Sequence, residues 1–475
     1  CAPGGDHPVV VALHEAVVRP LPVSPRRTLF AYIQESRLCL AWQIAMPERT
    51  SRRIVIIAEH ASARFGGEAI LPLHYFRVLR ARGADVWLIV HARTQRELTQ
   101  IFPRELDRIT FIPDTWLNVL LWRASQVLPA PQKVRDFTLG WLNRAYTQLR
   151  ARAVARDVIR KHQIDIVHQP IPVSPREPSF LFGLGVPVVI GPMNGGMTYP
   201  PGFSGGSSWR LGSKVVLDVA RRASDVLNRL IPGKLEASVL LVANERTRRS
   251  LPRGARGKVI QLVENGVDLS VWSARSWGAS AQGPVRFVFS GRLVDWKAVD
   301  VLLQAFAVTA RKADVMLDIL GDGPERLGLE REAAELGVSG RVRFLGWLPQ
   351  RECAEHVRSC DVLVLPSLHE CGGAVVLEAM AAGLPVIATA WGGPADYLDE
   401  TCGILVPPRS RRDLVAGVAE AMARLAESPE LRHELGAAGR ERVVSKFDWE
   451  RKVDEIIAIF EREVLPGRPR KAALG

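Results

Sequence analysis

From Arg53 onward, short apolar runs alternate with longer stretches of helical spacing. IVIIAEH (Ile54 to His60) is too brief for a helix and reads as a buried strand. A loop carrying Gly66 and Gly67 follows, then AILPLHYFRVLRARG, whose apolar residues recur at helical spacing and stop at Gly83. VWLIVHA (Val86 to Ala92) is the next strand. Strand, glycine loop, helix and strand in this order form a βαβ unit, which implies a parallel sheet.

Residues 111 to 162 read as a long, basic helical region, after which IDIVHQ (Ile164 to Gln169) and VPVVIGP (Val186 to Pro192) resume the strands. GPMNGGMTYPPGFSGGSS is a Gly/Pro-rich loop. SVLLVAN and KVIQLVENG close the first half, and SVWSARSWGASAQGP (Ser270 to Pro284) has no clear period and reads as a linker. The rhythm then restarts: VRFVFSGRL, VMLDILGDGP, RVRFLGW, CDVLVLPS and PVIATA are strands, with VDVLLQAFAVTARK and GAVVLEAMAAG as helices. KFDWERKVDEIIAIFEREV is an amphipathic tail helix. The expected organisation is an extension over 1–52, poorly ordered and without assigned function, and a first doubly wound α/β domain over 53–269. A linker over 270–284, a second such domain over 285–445, and a helix and tail over 446–475 that packs back on the first domain complete it. Ligands of doubly wound domains sit outside the carboxyl ends of the strands, so the loops between these elements should line a cleft.

Composition adds constraints. With 475 residues, 47% hydrophobic and 24% charged, the chain is ordinary for a globular protein. No apolar run reaches the roughly 18 to 20 residues of a membrane-spanning helix. The opening segment has no basic leader before its apolar patch and starts with Cys1, which suggests a fragment or an upstream extension. The six cysteines form no C-x-x-C pair and suit neither zinc nor a disulfide framework, pointing to a reducing compartment. A net charge of +13 favours acidic partners: nucleic acid, anionic lipid headgroups or phosphorylated small molecules.

The strongest chemical signal is SLHECGGAVVLEAMAAGLPVIATAWGGPADY. Glu370 ends a strand loop and Glu378 lies in the first turns of the next helix, so both can face one cleft. Between them, the amides of Gly372, Gly373 and Ala374 would open a helix whose unsatisfied N–H groups and dipole favour a phosphate. Upstream, SGRLVDWKAVD places Gly291, Arg292 and Lys297 after a strand; two cations beside a helix start can clamp a diphosphate. LGDGP puts Gly321 and Asp322 on a strand-ending turn of the same wall. The competing reading is a pair of solvated glutamates and two surface cations in a basic chain.

Taken together, GRL-x4-K, GDGP, E-x7-E with LEAMAAGLPVIAT, and WGGPADY resemble family 4 of the glycosyltransferases, which have the GT-B fold of two Rossmann-like domains facing across a cleft. The resemblance runs over roughly Ile54 to Val464 and is densest from Phe287 to Pro407. It implies that Arg292 and Lys297 contact the donor diphosphate, Glu370 the sugar hydroxyls and Glu378 the ribose, with Gly372 and Gly373 by the phosphates and sugar. Cys371 departs from the aromatic that many members carry before the glycine, which leaves the sugar open. In the first half, Gly66 and Gly67 resemble the family's glycine loop, and His168 stands where the family has a histidine near the reacting sugar, although many members read H-x-H there. Asn194, Gly195 and Gly196 resemble an acceptor-side loop.

The implied reaction is retaining transfer of a hexose-type sugar from a UDP- or GDP-sugar to a hydroxyl of a saccharide or lipid-linked acceptor. Arg292, Lys297, Glu370 and His168 are its implied catalytic set. No D-x-D occurs, so neither metal nor other cofactor is expected beyond the nucleotide-sugar co-substrate. Trp116, Trp122 and Trp141 among Arg123, Lys133, Arg135, Arg144, Arg150 and Arg152 suit an anionic membrane surface, or else are packed aromatics with a solvated basic face. The expected location is cytoplasmic, with peripheral attachment to the inner face of the cell membrane as the second alternative. No nucleic-acid recognition module is visible. A non-catalytic sugar-nucleotide-binding relative, and an epimerase or phosphorylase on the same fold, are the competing functions.

Overall fold

The computed structural model describes residues 52–64, 67–127, 135–203, 220–275 and 283–465. The extension over 1–52 therefore lies, up to residue 51, outside the described residues, as do Gly66 and Lys133.

Two parallel sheets organise the chain. The first has seven strands: β1 (Arg53–Ile57), β2 (Asp85–His91), β3 (Ile109–Ile112), β4 (Ile166–Gln169), β5 (Val188–Met193), β6 (Val239–Val242) and β7 (Lys258–Gln261), in the order β3-β2-β1-β4-β5-β6-β7. The second has six: β8 (Val285–Ser290), β9 (Val315–Leu320), β10 (Val342–Gly346), β11 (Val362–Leu365), β12 (Val386–Thr389) and β13 (Gly403–Val406), in the order β10-β9-β8-β11-β12-β13. Each grows in one direction over its first three strands, returns past the first, and grows in the other; this is doubly wound topology.

Two strands differ from the expectation. Phe111 and Ile112, placed in the long helical region, belong to edge strand β3, and β13 was not anticipated. Both have only four residues at a sheet edge, too short for period 2 to separate from the background. Among the described residues, the helical region carries the helices Trp116–Val127 and Trp141–His162, the second preceded by a helical turn at Asp136–Gly140.

Alternation along β1 sorts the core of the first sheet onto its two faces. Ile54 and Ile56 pack with Tyr75, Phe76 and Leu79 of the Ile70–Ala81 helix, which ends where Gly83 takes a φ of +73°. Val55 and Ile57 pack on the other face with Ala151, Ala155 and Val158 of the Trp141–His162 helix. The first face is completed by the end of the chain: Trp449, Val453, Ile456 and Phe460 enter that cluster, and Arg82 binds Glu450 and Asp454 at 2.7 and 2.6 Å. Around the second sheet, strands such as Phe287–Phe289 are wholly buried, and Trp272 in the linker is sunk into the same core.

Candidate active site

In both sheets the winding reverses beside the first strand, between β1 and β4 and between β8 and β11. The crevice outside the carboxyl ends of such a strand pair is where doubly wound folds take ligands. The residues singled out in the second half gather at the β8/β11 crevice. Lys297, in the turn after β8, forms an ion pair with Glu370, in the loop after β11; both side chains are mostly buried. Arg292, also after β8, is exposed and enters no ion pair among the described residues. Gly321 takes φ +129°, and a Cβ there would fall 1.9 Å from the Gly291 carbonyl oxygen, so the turns after β8 and β9 meet backbone to backbone. Asp322 is exposed and accepts a hydrogen bond from the Gly323 amide at 2.7 Å.

The Ala374–Ala381 helix starts in front of the Lys297–Glu370 pair. Its N-cap is Gly373, with φ +76° and no side chain to cap the first turn. A Cβ there would lie 3.0 Å from Glu370 Cγ. The helix N-terminus thus presents its amides near the Lys297–Glu370 pair, an anion-binding arrangement, and the exposed Arg292 lies on the same loop as Lys297. Glu378 sits on the same helix, and burial pushes its carboxyl up to about 7. The Cys353 thiol, whose sulfur lies 3.7 Å from Ser290 Oγ at the end of β8, is pushed up to about 11, first by burial and further by the Glu378 charge.

From the first half, the loop after β5 reaches across. Asn194 Nδ2 donates to the Cys371 carbonyl at 2.8 Å, Trp391 Nε1 donates to the Thr198 carbonyl at 2.7 Å, and the Tyr199 and His369 rings lie 5.3 Å apart. Around Asn194 lies a polar network that the sequence reading missed. Asn194 Nδ2 also donates to Glu264 Oε1 at 2.7 Å, Asn244 Nδ2 to Asp396 Oδ2 at 2.8 Å, and Asn265 Nδ2 to the Tyr397 hydroxyl at 2.9 Å. Arg246 touches Asp396 and the Cys371 carbonyl, both at 3.4 Å. Burial raises the carboxyls of Glu264 and Asp396, and Glu264 Oε2 has no hydrogen-bond partner among the described residues. The available signal was positional: Asn194, Asn244, Glu264 and Asn265 are buried polar residues just past the carboxyl ends of β5, β6 and β7. Gly372 is pinned against this network; a Cβ on it would fall 2.3 Å from both Asn265 Nδ2 and Glu264 Oε1.

His168 corrects an expectation. It lies within β4, wholly buried, with its ring edge-on to Tyr75 and Phe460 rather than in the cleft. Nε2 is 2.8 Å from the Gly191 carbonyl, which can only accept, so this nitrogen carries the proton. Burial lowers the ring to about 4, which makes it a neutral core histidine. Gly67 heads an exposed turn with open space beside it, and Gly195 and Gly196 pack on Pro175 and on Ser250 and Arg246.

At the β1/β4 crevice a cavity of about 290 Å³ is lined by Glu59, His60, Glu68, Arg144, Gln169 and Glu177, among others. It suits a polar, hydroxyl-rich group. Asp318, His356 and Cys360 form the only three-residue set of metal-ligand type among the described residues. Burial opposes ionisation of Asp318, but hydrogen bonds from Arg343 (2.7 and 2.6 Å) and His356 (2.8 Å) outweigh it and hold its carboxyl below the ordinary value. A guanidinium already spans both carboxylate oxygens, so the set is an ion-pair network.

Residues 273–442 match the family described as Glycosyl transferases group 1. The D-inositol 3-phosphate glycosyltransferase of Saccharomonospora viridis is 34% identical over 244 residues, covering 47% of this chain and 56% of that one. The chain spans about half the length of the curated relatives it matches. Among solved structures, a glycosyltransferase from Rickettsia africae superposes with a TM-score of 0.62 at 14% identity, covering 88% of this chain and 100% of that one. HepE of Anabaena, solved in complex with UDP, gives 0.58 at 16% identity, covering 86% and 98%. At these identities the solved structures establish the fold, GT-B.

Proposed function

Given that residues 273–442 are a group 1 glycosyltransferase domain on a GT-B fold, we propose that the chain transfers a hexose-type sugar from a nucleotide-sugar to a hydroxyl of a saccharide or lipid-linked acceptor, with retention of anomeric configuration. The observation that carries this reading is the Lys297–Glu370 pair in front of the uncapped helix at Gly373, with the exposed Arg292 on the same loop as Lys297. A donor diphosphate takes up the lysine, the arginine and the helix amides, which releases Glu370 to accept hydrogen bonds from the sugar hydroxyls. Glu378 accepts from the ribose. HepE binding UDP on the same fold supports a nucleotide donor.

In the retaining reaction, the bond from the anomeric carbon to the donor phosphate breaks as the bond to the acceptor oxygen forms on the same face. The acceptor proton passes to the leaving phosphate oxygen. The protein positions both partners and stabilises charge on the diphosphate. His168, buried and neutral, takes no part. Two cations and a helix N-terminus supply the positive charge, and the sequence has no D-x-D, so the reaction is proposed to be metal-independent. Proton NMR of the glycoside formed from an α-linked donor tests the stereochemistry: an α product supports retention and a β product refutes it.

Attachment to an anionic membrane surface is part of the proposal. On the Trp116–Val127 helix the usual pattern is inverted. Asn118 is buried and bonded to Asn143 and Thr147, whereas Trp116 and Val127 are 77% and 81% exposed and Leu120 and Arg123 share their side. An apolar stripe with an arginine facing outward suits the headgroup boundary of a bilayer. No described helix is long and apolar enough to cross a membrane.

A further inference from the structure

Beside the Asn194–Gly196 loop lies a second, larger cavity of about 630 Å³ that the proposed reaction has not used. Its wall carries Arg176, Arg221, Arg222, Arg246, Arg249 and Arg253. Asp225 is the single carboxylate in the lining, and Arg176 already binds it at 2.8 Å. Two more of the arginines have carboxylate partners, Arg246 with Asp396 at 3.4 Å and Arg249 with exposed Glu245 at 3.2 Å. Arg222 and Arg253 are exposed and enter no ion pair among the described residues. The cavity keeps a large positive excess.

So many guanidinium groups around one space repel each other unless an anion occupies it, and their planar forks match phosphate oxygens two at a time. A nucleic-acid strand would need stacking surfaces, and the lining has no aromatic residue. The space is also too confined for a duplex. It is of the size that holds a small molecule.

The position ties the cavity to the crossing between the domains. Gly196 lines it with φ +72°, and a Cβ there would meet Ser250 Oγ at 2.2 Å, so only glycine brings this backbone to the wall. Arg246 also lines it, while its guanidinium reaches the Asn194 side-chain oxygen at 3.3 Å and the Cys371 carbonyl at 3.4 Å. One residue therefore spans from the cavity to the loop carrying Glu370. Arg176 faces this cavity and its neighbour Glu177 faces the polar cavity at the β1/β4 crevice, so the anion-binding and hydroxyl-binding spaces adjoin.

We propose that the arginine cavity binds the phosphate or diphosphate of a phosphorylated acceptor and so holds that acceptor's sugar at the crossing between the domains. The inference rests on the glycosyltransferase reading. In the transfer, the acceptor's own phosphoester stays intact. One of its hydroxyls gives its proton to the leaving donor phosphate and gains the bond to the anomeric carbon.

Inorganic pyrophosphate, titrated calorimetrically at low salt into the full chain, is the test. Three proteins are compared: wild type, Arg222→Ser/Arg253→Ser, and Lys297→Ala, with melting temperatures confirming that the variants fold. The expected result is a site that survives Lys297→Ala and weakens at least tenfold in the double serine variant. Charge reversal in Arg222→Glu/Arg253→Glu abolishes it. No binding to wild type, undiminished binding to both double variants, or loss of all binding in Lys297→Ala overturns the proposal. Displacement of pyrophosphate by a soluble sugar 1-phosphate, or by a polyprenyl-diphosphate sugar in neutral vesicles, tells which source supplies the phosphate. A parallel titration with nucleoside diphosphates judges the donor site separately, so failure of the glycosyltransferase reading is distinguishable from failure of this one.

Discussion

Replacing Glu378 by Gln should make the unliganded protein more stable and its nucleotide binding weaker. Burial raises this carboxyl from 4.5 to about 7. Each unit is worth about 1.36 kcal/mol, so ionising the group in the folded state costs up to about 3 kcal/mol, nearer 2 once its residual contact with solvent is allowed for. The folded value lies above the unfolded one, so the unfolded chain gives up this proton first. The penalty is absent below pH 4.5, grows between 4.5 and about 7, and is complete above that. Glutamine has the same shape without the charge and escapes it. Calorimetric unfolding at pH 5, 6, 7 and 8 should show the gap between Glu378→Gln and wild type widening with pH. At roughly 2–4 °C per kcal/mol for a domain of this size, the variant gains about 4–8 °C at pH 8. Its affinity for the nucleoside diphosphate should fall at the same time, as expected where a strained group is kept for binding. Parallel stability curves across this range, or a variant that is less stable at pH 8, would refute the reasoning.

Gly321→Ala, forced to hold φ +129° against the Gly291 carbonyl, should lose about 1–3 kcal/mol or more in urea unfolding; an unchanged midpoint would contradict the contact between these turns. Trp116→Ser/Leu120→Ser should reduce flotation with phosphatidylglycerol vesicles without lowering transfer to a soluble acceptor, and wild-type protein that never floats would remove the membrane proposal. Activity should persist in excess chelator; complete loss restored by Mn²⁺ would contradict metal independence. His168→Asn should lower stability through its lost ring packing while kcat per folded molecule stays within a few-fold. A drop of several orders of magnitude would return this residue to the chemistry.

The sequence was most informative where chemistry and backbone coincide. Gly321 and Gly373 occupy positive-φ positions that their motifs announce, and Lys297 and Glu370, far apart in the chain, meet because each follows a strand at the winding reversal. His168 was misplaced because a strand-end histidine reads alike whether its ring points into the cleft or the core; the side was decided by Tyr75 and Phe460, from distant segments. The same limit hid the Asn194–Asn244–Glu264 network. Each member looks like an ordinary polar residue after a strand, and only assembly of three loops against Cys371 and Asp396 shows that they act together. Outward exposure of Trp116 was likewise set by Asn118 turning inward to Asn143 and Thr147, partners on another helix.

Calorimetric titration of UDP, GDP and ADP into wild type and Lys297→Met tests the donor site most directly. One nucleotide should bind wild type more tightly than the other two. It should bind the variant about 10- to 100-fold more weakly, the loss expected for one charged hydrogen bond to phosphate. Equal affinity in both proteins, or no binding of any of the three to wild type, would contradict a donor held at the β8/β11 crevice.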